Sequence, residues 1–544
     1  MTFEAESFLQ SGERFRLGFL PTEQSHPLTK DLSQWAQEDM DLAMERLRQV
    51  DLQALGVLSE EILTEEGYSQ QVEPLRQEVS STLKAGGRIF LGGCGATGRL
   101  CLSLEFLYRQ QQLTKGFSST EQVVAFTAGG DVALVHAIEG FEDHRDYGAE
   151  QLLGLGFSSK DLFIGCTEGG ETPFVIGATL KAAEISRRPA FFIHCNPSDL
   201  LKEKIERSKE VLSHPKVREV SLPVGPMALA GSTRMQASTV MMLVLGYTLL
   251  QGQNKWKRVD LINQIAHLSR RYQGLNLKKL KELTLAEAQA YEQGHHTCYV
   301  TDHFAITIFT DTTERAPTFS LPPFNNFDVP QGEASLSYVM IPSGYTRQRT
   351  WSSLLGRQPR CLDWLARNSK TTAQYLNGFD FGSQALLRRQ QLIKGRPHHT
   401  FVIDRPSPTC VLWRFRGREW SFAAFSDNEL WNHLLLKMLL NMHSTLVMGR
   451  LGRYSGNLMT WVKPTNGKLI DRATRYAQEL LERQGLPLSY EEVVKELFEQ
   501  LKSLGEKESV VEKTVQSLLS QNNIHRAYST ACVSLTTVTL ISPG

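Results

Sequence analysis

Five short apolar runs alternate with helix-patterned stretches in the first half of the chain: "RIFLGG" (88–93), "VVAFTAGG" (123–130), "DLFIGCTEGG" (161–170), "AFFIHCNP" (190–197) and "VREVSLPVGP" (217–226). Each ends in glycine, proline or small polar residues. Runs without polar alternation are what a strand buried on both faces needs, and helical patterns between them supply the crossovers that parallel pairing requires. The alternation predicts a doubly wound parallel sheet whose ligand loops lie at the strand carboxyl ends. Before it, residues 28–84 read as helices, because "LSQWAQEDMDLAMERLRQV" and "VEPLRQEVSSTLKAG" keep apolar residues three and four apart.

After a helical, charged stretch at 255–294, a second set of runs follows: "CYVTDHFAITIFT" (298–310), "LSYVMIP" (336–342), "TFVIDR" (400–405) and "CVLWRF" (410–415). They predict a second α/β domain, reached through the proline-rich "ERAPTFSLPPFNNFDVPQ". From about residue 430 the pattern is helical up to "STACVSLTTVTLISPG", which fits no element. The expected division is 1–84 as an N-terminal helical segment, 85–270 and 271–460 as two doubly wound domains, and 461–544 as a mostly helical lid region. A chain of 544 residues has room for these several cores.

A net charge of +1 gives no field for nucleic acid or anionic lipid. The acidic start "MTFEAESFLQ" has no apolar core of a secretory signal, and the longest apolar run, Val240 to Leu250, is short of the ~20 residues of a membrane span. Eight cysteines form no C-x-x-C pair, which fits buried thiols in a reducing compartment. A soluble, cytoplasmic protein is expected, with no bound metal and no cofactor.

The first run leads into "GCGATGRL" (93–100), where Gly93, Gly95 and Gly98 have the G-x-G-x-x-G spacing that brings backbone amides to a phosphate at a helix start. A dinucleotide site also needs an acid closing the next strand, about 20 residues on. Asp131 comes later and behind two further glycines, and no Gly-Lys-Ser/Thr follows to make a Walker loop. What recurs instead is hydroxyls at successive strand ends: Thr97, Thr167 in "GCTEGGETP", and Ser232 with Thr233 in "GPMALAGSTRM". Hydroxyls and free amides at helix starts can hold one phosphate without a metal. Thr172 and Pro173 have the chemistry of an N-cap and first helical residue, so the Thr167 loop should end at a helix N-terminus.

The ordered blocks "LPTEQSHPLTKDL" (20–32), "GCGATGRL", "AGGDVALVHAIEGFEDH" (128–144), "TPFVIGATLKAA" (172–183), "CNPSD" (195–199) and "VGPMALAGSTRMQAST" (224–239) resemble the N-acetylmuramic acid 6-phosphate etherase family, which is built on a sugar-isomerase (SIS) domain. "NMHSTLVMGRLGRYSGNLM" (441–459) and "PTNGKLIDRATR" (464–475) resemble the rest of that family's core. In the single-domain enzymes these last blocks follow almost directly. Here about 200 residues intervene, which resembles the double-SIS branch, the glucokinase regulatory proteins.

The resemblance implies roles. Gly95, Thr97 and Gly98 of the first loop, Thr167, Gly169, Gly170 and Glu171 of the second, and Ser232 of the third would surround a phosphosugar. Glu142, in "EGFEDH", matches a glutamate that contacts the sugar and takes part in acid–base chemistry. Lys468 and Arg472 match a basic pair that caps the ligand, and their i, i+4 spacing puts both on one helical face. Arg99 and Arg234 follow phosphate loops, where packing alone would account for them. Ala96 replaces a usual hydroxyl. Glu171 replaces a small or basic residue, so it must point away, pair with a cation or narrow the ligand choice.

The family's D-x-S-E-x-x-P-T-F motif, whose glutamate is the general acid, is missing from the first domain, where "CLSLEFLYRQQ" puts Leu107 at the matching place and Glu105 out of register. "DTTERAPTF" (311–319) carries it in the second domain, with Glu314 in the glutamate position, while "TDHFA" (301–305) replaces that domain's glycine loop. A fused pair needs one complete site, so Glu314 is expected to reach a phosphosugar held by the first domain, in a chain that acts as its own pseudo-dimer and hence as a monomer. Two functions are implied. One is a phosphosugar-binding regulatory protein that senses a hexose phosphate such as fructose 6-phosphate and controls a partner sugar kinase. The other is a lyase that releases D-lactate from N-acetylmuramic acid 6-phosphate, with Glu142 and Glu314 catalytic. The pairs His295–His296 and His398–His399 open predicted strands without carboxylate companions and are read as structural.

Overall fold

The computed structural model describes residues 4–116, 121–138, 140–251, 257–330, 332–362, 364–426, 428–505 and 507–522. The chain forms two compact units, one of Leu20–Asn457 and one of Met1–Phe19 with Leu458–Gly544. Both sheets belong to the first of these.

In that larger unit, helices α1 (Met40–Val57) and α2 (Glu73–Lys84) precede the first sheet. The five apolar runs become β1 (Ile89–Gly93), β2 (Val123–Thr127), β3 (Leu162–Cys166), β4 (Ala190–His194) and β5 (Val217–Ser221). They are parallel throughout, in the order β2-β1-β3-β4-β5, the flavodoxin-like doubly wound order. Every residue of β1 to β4 is buried, whereas the edge strand β5 alternates, which explains why "VREVS" is the most polar of the five. Helices α3 (Gly95–Thr114), α4 (Arg145–Gly154) and α5 (Pro173–Ile185) supply the first three crossovers, two short helices (Ser198–Lys204 and Glu206–Leu212) supply the one from β4 to β5, and α6 (Gln236–Gly246) follows β5.

Two amphipathic helices, α7 (Arg258–Gln273) and α8 (Leu277–Glu292), lead to the second sheet. Its strands are β6 (His296–Val300), β7 (Ser337–Met340), β8 (His398–Ser407), β9 (Cys410–Phe415) and β10 (Arg418–Ala423), in the order β10-β9-β8-β6-β7. Here the all-parallel expectation fails. Strands β7, β6 and β8 are parallel, but β8, β9 and β10 form an antiparallel meander. The reason is local: β8 and β9 are separated by two residues, and β9 and β10 by Arg416 and Gly417, both at positive φ (48° and 76°), the geometry of a tight hairpin turn. No crossover fits in two residues.

The run "CYVTDHFAITIFT" is likewise two elements: β6 ends at Val300 and helix α9 (Ala305–Phe319) follows. The motif "ERAPTF" is thus helical. Pro317 is tolerated in its last turn, and Ser320 closes the helix in the left-handed region at φ 50°. The proline-rich segment therefore lies inside the second domain, after its first strand, and is not the route into it. The unit closes with α10 (Glu429–Arg450), a 22-residue helix buried along most of its length.

The smaller unit holds α11 (Gly467–Arg483) and α12 (Tyr490–Lys502), with Ser489 and Glu492 forming a capping box at the start of α12. Gly467 lies where a Cβ would meet the Phe15 ring at 2.4 Å, which ties the N-terminal residues to α11. The tail "STACVSLTTVTLISPG" and Cys532 lie outside the described residues. Of the seven described cysteines, Cys101, Cys166, Cys195 and Cys298 are buried as expected, while Cys94, Cys361 and Cys410 are half-exposed. No helix among the described residues is long and apolar enough to cross a membrane, and no group of metal-ligating side chains occurs among them.

Candidate functional site

Two of the three hydroxyl loops follow the central strands β1 and β3, and the third follows the edge strand β5. After β1 the chain turns at Gly93 and at Gly95, whose φ of 51° suits glycine, and enters α3. Gly98 has a packing role: a Cβ there would lie 2.1 Å from Thr127 Oγ1 on β2. Thr97, in the first turn of α3, is buried.

The loop after β3 is partly self-satisfied. Thr167 Oγ1 lies 3.0 Å from Thr172 Oγ1 and accepts from the Gly170 amide at 3.3 Å, while the Gly169 carbonyl accepts from Asn196. Gly170 needs its positive φ of 76°, and a Cβ there would press on Leu201. Thr172 and Pro173 take the N-cap and first-turn positions of α5 as the sequence implies, although the Thr172 hydroxyl turns to Thr167 instead of capping. Glu171 is buried and pairs with Arg207 at 2.6 Å, so of the three outcomes open to it the structure shows pairing with a cation.

At the third loop, Ser232 Oγ is buried with no hydrogen-bond partner among the described residues. Arg234 does more than pack. It is 2% exposed, pairs with Asp311 of α9 at 2.7 Å, and donates to Ser444 and Thr445 of α10. Lys437 of α10 donates to the carbonyls of Arg234 and Met235, to Thr239 and to Asn441, and burial lowers its pKa to about 7.

Glu314 arrives from the second domain. Its carboxylate forms an ion pair with the guanidinium of Arg99, which is itself 1% exposed, directly behind the glycine turn. The neighbouring Thr313 hydroxyl donates to the Leu134 carbonyl of the first domain at 2.8 Å. Glu142 lies in a 3₁₀ turn, Phe141–Asp143, and is half-buried. Its charge, with those of Asp143 and Glu171, bears on Cys94 of the glycine turn, whose thiol is pushed up by burial first and by these carboxylates next. A segment of the second domain steadies the Glu142 turn. Trp364 stacks on Phe141 with centroids 6.1 Å apart, and Arg367 lies 4.6 Å from the Trp364 and Tyr147 rings and pairs with Glu150.

Lys468 and Arg472 lie on α11 of the smaller unit, half-buried and buried respectively, which is not the solvated face that a bare basic pair would suggest. The histidine pairs behave as structural residues: His296 and His398 open β6 and β8, and His295 Nδ1 lies 3.0 Å from His399 Nε2.

Sequence reasoning missed Glu168, which follows Thr167. Its carboxyl is 4% exposed, accepts from Ser238 Oγ at 2.5 Å, and has the hydroxyls of Thr97 and Thr233 as further hydrogen-bonding neighbours. Burial raises its pKa, partly opposed by those hydroxyls, and the charge of Glu314 adds to the rise. The only sequence signal was an acidic residue inside a loop read for phosphate.

The counterpart loop after β6 is engaged by its own residues and by those of neighbouring segments. Thr301 Oγ1 accepts from the Phe304 amide, Asp302 from the Ser343 amide, and His303 pairs with Asp404 at 3.0 Å.

Comparison with known proteins bears on the family. The family model "Glucokinase regulatory protein N-terminal SIS domain" matches residues 71–184. N-acetylmuramic acid 6-phosphate etherase 1 of Bacillus licheniformis is 32% identical over 234 residues, which are 43% of this chain and 68% of that protein. The chain belongs to the N-acetylmuramic acid 6-phosphate etherase family. Etherase 2 of Vibrio cholerae is 31% identical over 230 residues, 42% of this chain and 66% of that protein. The match to the Gloeobacter violaceus etherase is shorter and spans 49% of its length at 34% identity. Among solved structures, the C-terminal domain of glucosamine-fructose-6-phosphate aminotransferase from Francisella tularensis aligns over 75% of this chain and 96% of its own, at 10% identity and a TM-score of 0.41.

Proposed function

We propose that this chain binds a hexose 6-phosphate at the carboxyl ends of β1 and β3 and cleaves the lactyl ether of N-acetylmuramic acid 6-phosphate. The observation that carries the proposal is the meeting of Glu314 with Arg99: the glutamate of the E-x-x-P-T-F motif, supplied by the second domain, stands at the glycine turn of the first. Glu142 acts electrostatically on Cys94 of the same turn, so two carboxylates bear on it. An elimination needs one group to take a proton from the sugar carbon and another to give one to the departing lactate oxygen. Glu142 is assigned the first task and Glu314 the second. Lys468 and Arg472 are proposed as phosphate contacts on the strength of the resemblance alone. The kinship with the etherases supports a phosphosugar ligand.

A second function is favoured by one feature. The Glu314 carboxylate is already engaged by a buried guanidinium, an arrangement that suits a binding contact better than a group that must hand a proton to a leaving group. Under that alternative the chain senses a hexose phosphate such as fructose 6-phosphate without turnover and controls a partner sugar kinase, in keeping with the matched regulatory-protein model. A cytoplasmic location and a monomeric state belong to either proposal.

The test is incubation of the purified chain with N-acetylmuramic acid 6-phosphate and measurement of D-lactate. Release that Glu314→Gln abolishes supports the lyase. Saturable binding with no lactate supports the sensor. Neither binding nor release refutes both.

A further inference from the structure

We infer that Glu168 is a specificity-determining residue of the proposed phosphosugar site, a resident carboxylate that occupies the hydroxyl donors a phosphate would use and must take up a proton when the phosphate enters. The inference rests on the phosphosugar proposal and deepens it. Three hydroxyls from three different segments converge on this one carboxyl: Thr97 at the start of α3, Thr233 in the third loop and Ser238 in the first turn of α6. Thr97 and the third loop are also the segments whose sequence predicts a phosphate contact.

A hydroxyl has one proton to give. While Glu168 is ionised, the Ser238 proton is committed to it, and for the Thr97 and Thr233 hydroxyls it is an acceptor that competes with a phosphate oxygen. The nearest guanidiniums are already engaged, which leaves Lys437 and the proposed Lys468 and Arg472 to meet a second anion. Arg99 is committed to Glu314 and Arg207 to Glu171, both through ion pairs. Glu142, Asp143 and Glu171 add negative charge around the same glycine turn.

Once Glu168 gains a proton, the balance reverses. The hydroxyls can rotate to the phosphate, and the neutral carboxyl becomes a donor itself. No covalent bond changes; one proton passes from solvent to Glu168 Oε. The groups facing Glu168 are Ser238 of α6, Thr97 of α3, Thr233 of the third loop, Glu314 of α9, Lys437 of α10, and the thiols of Cys101 and Cys195. Among these Glu314 favours the neutral form and Lys437 opposes it, and burial already lifts the carboxyl above its usual range. Ser232, buried and without a partner among the described residues, lies in the same loop as Thr233 and offers a hydroxyl that Glu168 does not engage.

The consequence separates this chain from a site lined by hydroxyls alone: ligand binding near neutral pH takes up a proton. Calorimetric titration of the whole chain with fructose 6-phosphate and with N-acetylmuramic acid 6-phosphate, at pH 7.5 in two buffers of different ionisation enthalpy, counts that proton. Wild type should take up a sizeable fraction of one proton, since at this pH a phosphate monoester, with its second pKa near about 6, is already a dianion. Glu168→Gln, which keeps the shape and removes the charge, should take up less and bind about tenfold tighter or better. Glu168→Ala serves as a second variant, and thermal melting checks that both fold. A structural role for Glu168 would change stability but not the proton count. Wild-type binding without proton uptake, or equal uptake by wild type and Glu168→Gln, overturns the inference and leaves the site intact. If neither the wild type nor either variant binds either ligand, the phosphosugar proposal fails and takes this one with it.

Discussion

Replacing Arg357 by alanine should destabilise the larger unit by about 3–5 kcal/mol, the range for removing one partner from a buried ion pair. Arg357, in the second domain, has a side chain 6% exposed and reaches two buried carboxylates of the first, Glu105 on α3 and Asp131 after β2. Its guanidinium gives both oxygens of Asp131 a donor, at 2.5 and 3.1 Å, and both oxygens of Glu105 another, at 3.0 Å each. Without it Glu105 keeps Arg109 and Arg360, but Asp131 keeps only the Arg360 amide among these contacts. Most of the cost therefore comes from stranding Asp131, and Asp131→Asn in the Arg357→Ala background should restore part of it. The acid limb offers a second check. Burial pushes the Glu105 carboxyl up, yet Arg357, Arg360 and Arg109 outweigh it and hold the pKa below the usual range. A carboxyl depressed in the folded state stabilises above its unfolded pKa, and that contribution is lost as pH falls through the folded value. Arg357→Ala relieves part of the depression, so its stability should fall less steeply than wild type from about pH 5 to 3. Urea denaturation of the whole chain is the assay, since an uncharged denaturant leaves ion pairs unscreened. A loss under about 0.5 kcal/mol with an unchanged acid limb would refute the reasoning, because it would mean that water replaces the guanidinium at no cost.

The proposed composite site predicts about one ligand per chain by calorimetry, with Thr97→Val and Glu314→Gln coupled by about 0.5–3 kcal/mol because both touch one ligand. Two equivalents bound, or additive effects, would contradict it. Lys468→Ala should weaken phosphosugar affinity about ten- to hundredfold, as loss of one charge-assisted contact implies; unchanged affinity by thermal-shift titration would remove Lys468 from the site. Lys437→Met should cost about 3 kcal/mol or more in urea denaturation, since it leaves the four oxygens that Lys437 serves short of a donor. A loss within about 0.5 kcal/mol would show that those oxygens find other partners.

The first sheet was legible because β1 to β4 are buried on both faces, so burial alone wrote them as unbroken apolar runs, while the more polar β5 was read from its place in the alternation. The second was only half legible. Strand β10, "REWSFA", buries chiefly Trp420, so its signal is a single aromatic between charged and polar neighbours. The turn at Arg416–Gly417 that sets its direction depends on two positive φ values, of which glycine announces one. The helix carrying Glu314 was hidden by Pro317, a residue that reads as a breaker but is harmless in a last turn. At the candidate site, residues that act through their own loop, such as Gly95 and Thr97, could be read from spacing. Glu168 could not, because its partners come from positions 97, 233 and 238, and only folding brings those together.

The two domains show what became of the positions the proposed site does not use. In a symmetric pair every copy must keep every functional side chain, so the part of α3 around Leu107, the place matching the motif glutamate, and the loop after β6 would be constrained twice over. Here each has been put to mechanical use. Glu105 gathers three arginines, two of them from the second domain, and its other oxygen accepts from the Ala125 amide of β2. The loop 301–305, where a phosphate cradle would need open amides, spends them and its side chains on its own residues and those of neighbouring segments, with Asp302 and Asp404 placing negative charge where a phosphate would otherwise go. Neither change is neutral wear. Glu105 with its arginines fixes the second domain against the first, and that contact sets where Glu314 stands relative to Arg99. Under the proposed composite site, the Glu105–arginine cluster helps to hold its two halves in register, so Arg357→Ala, although Arg357 is not itself a proposed ligand contact, should also loosen the geometry at Glu314.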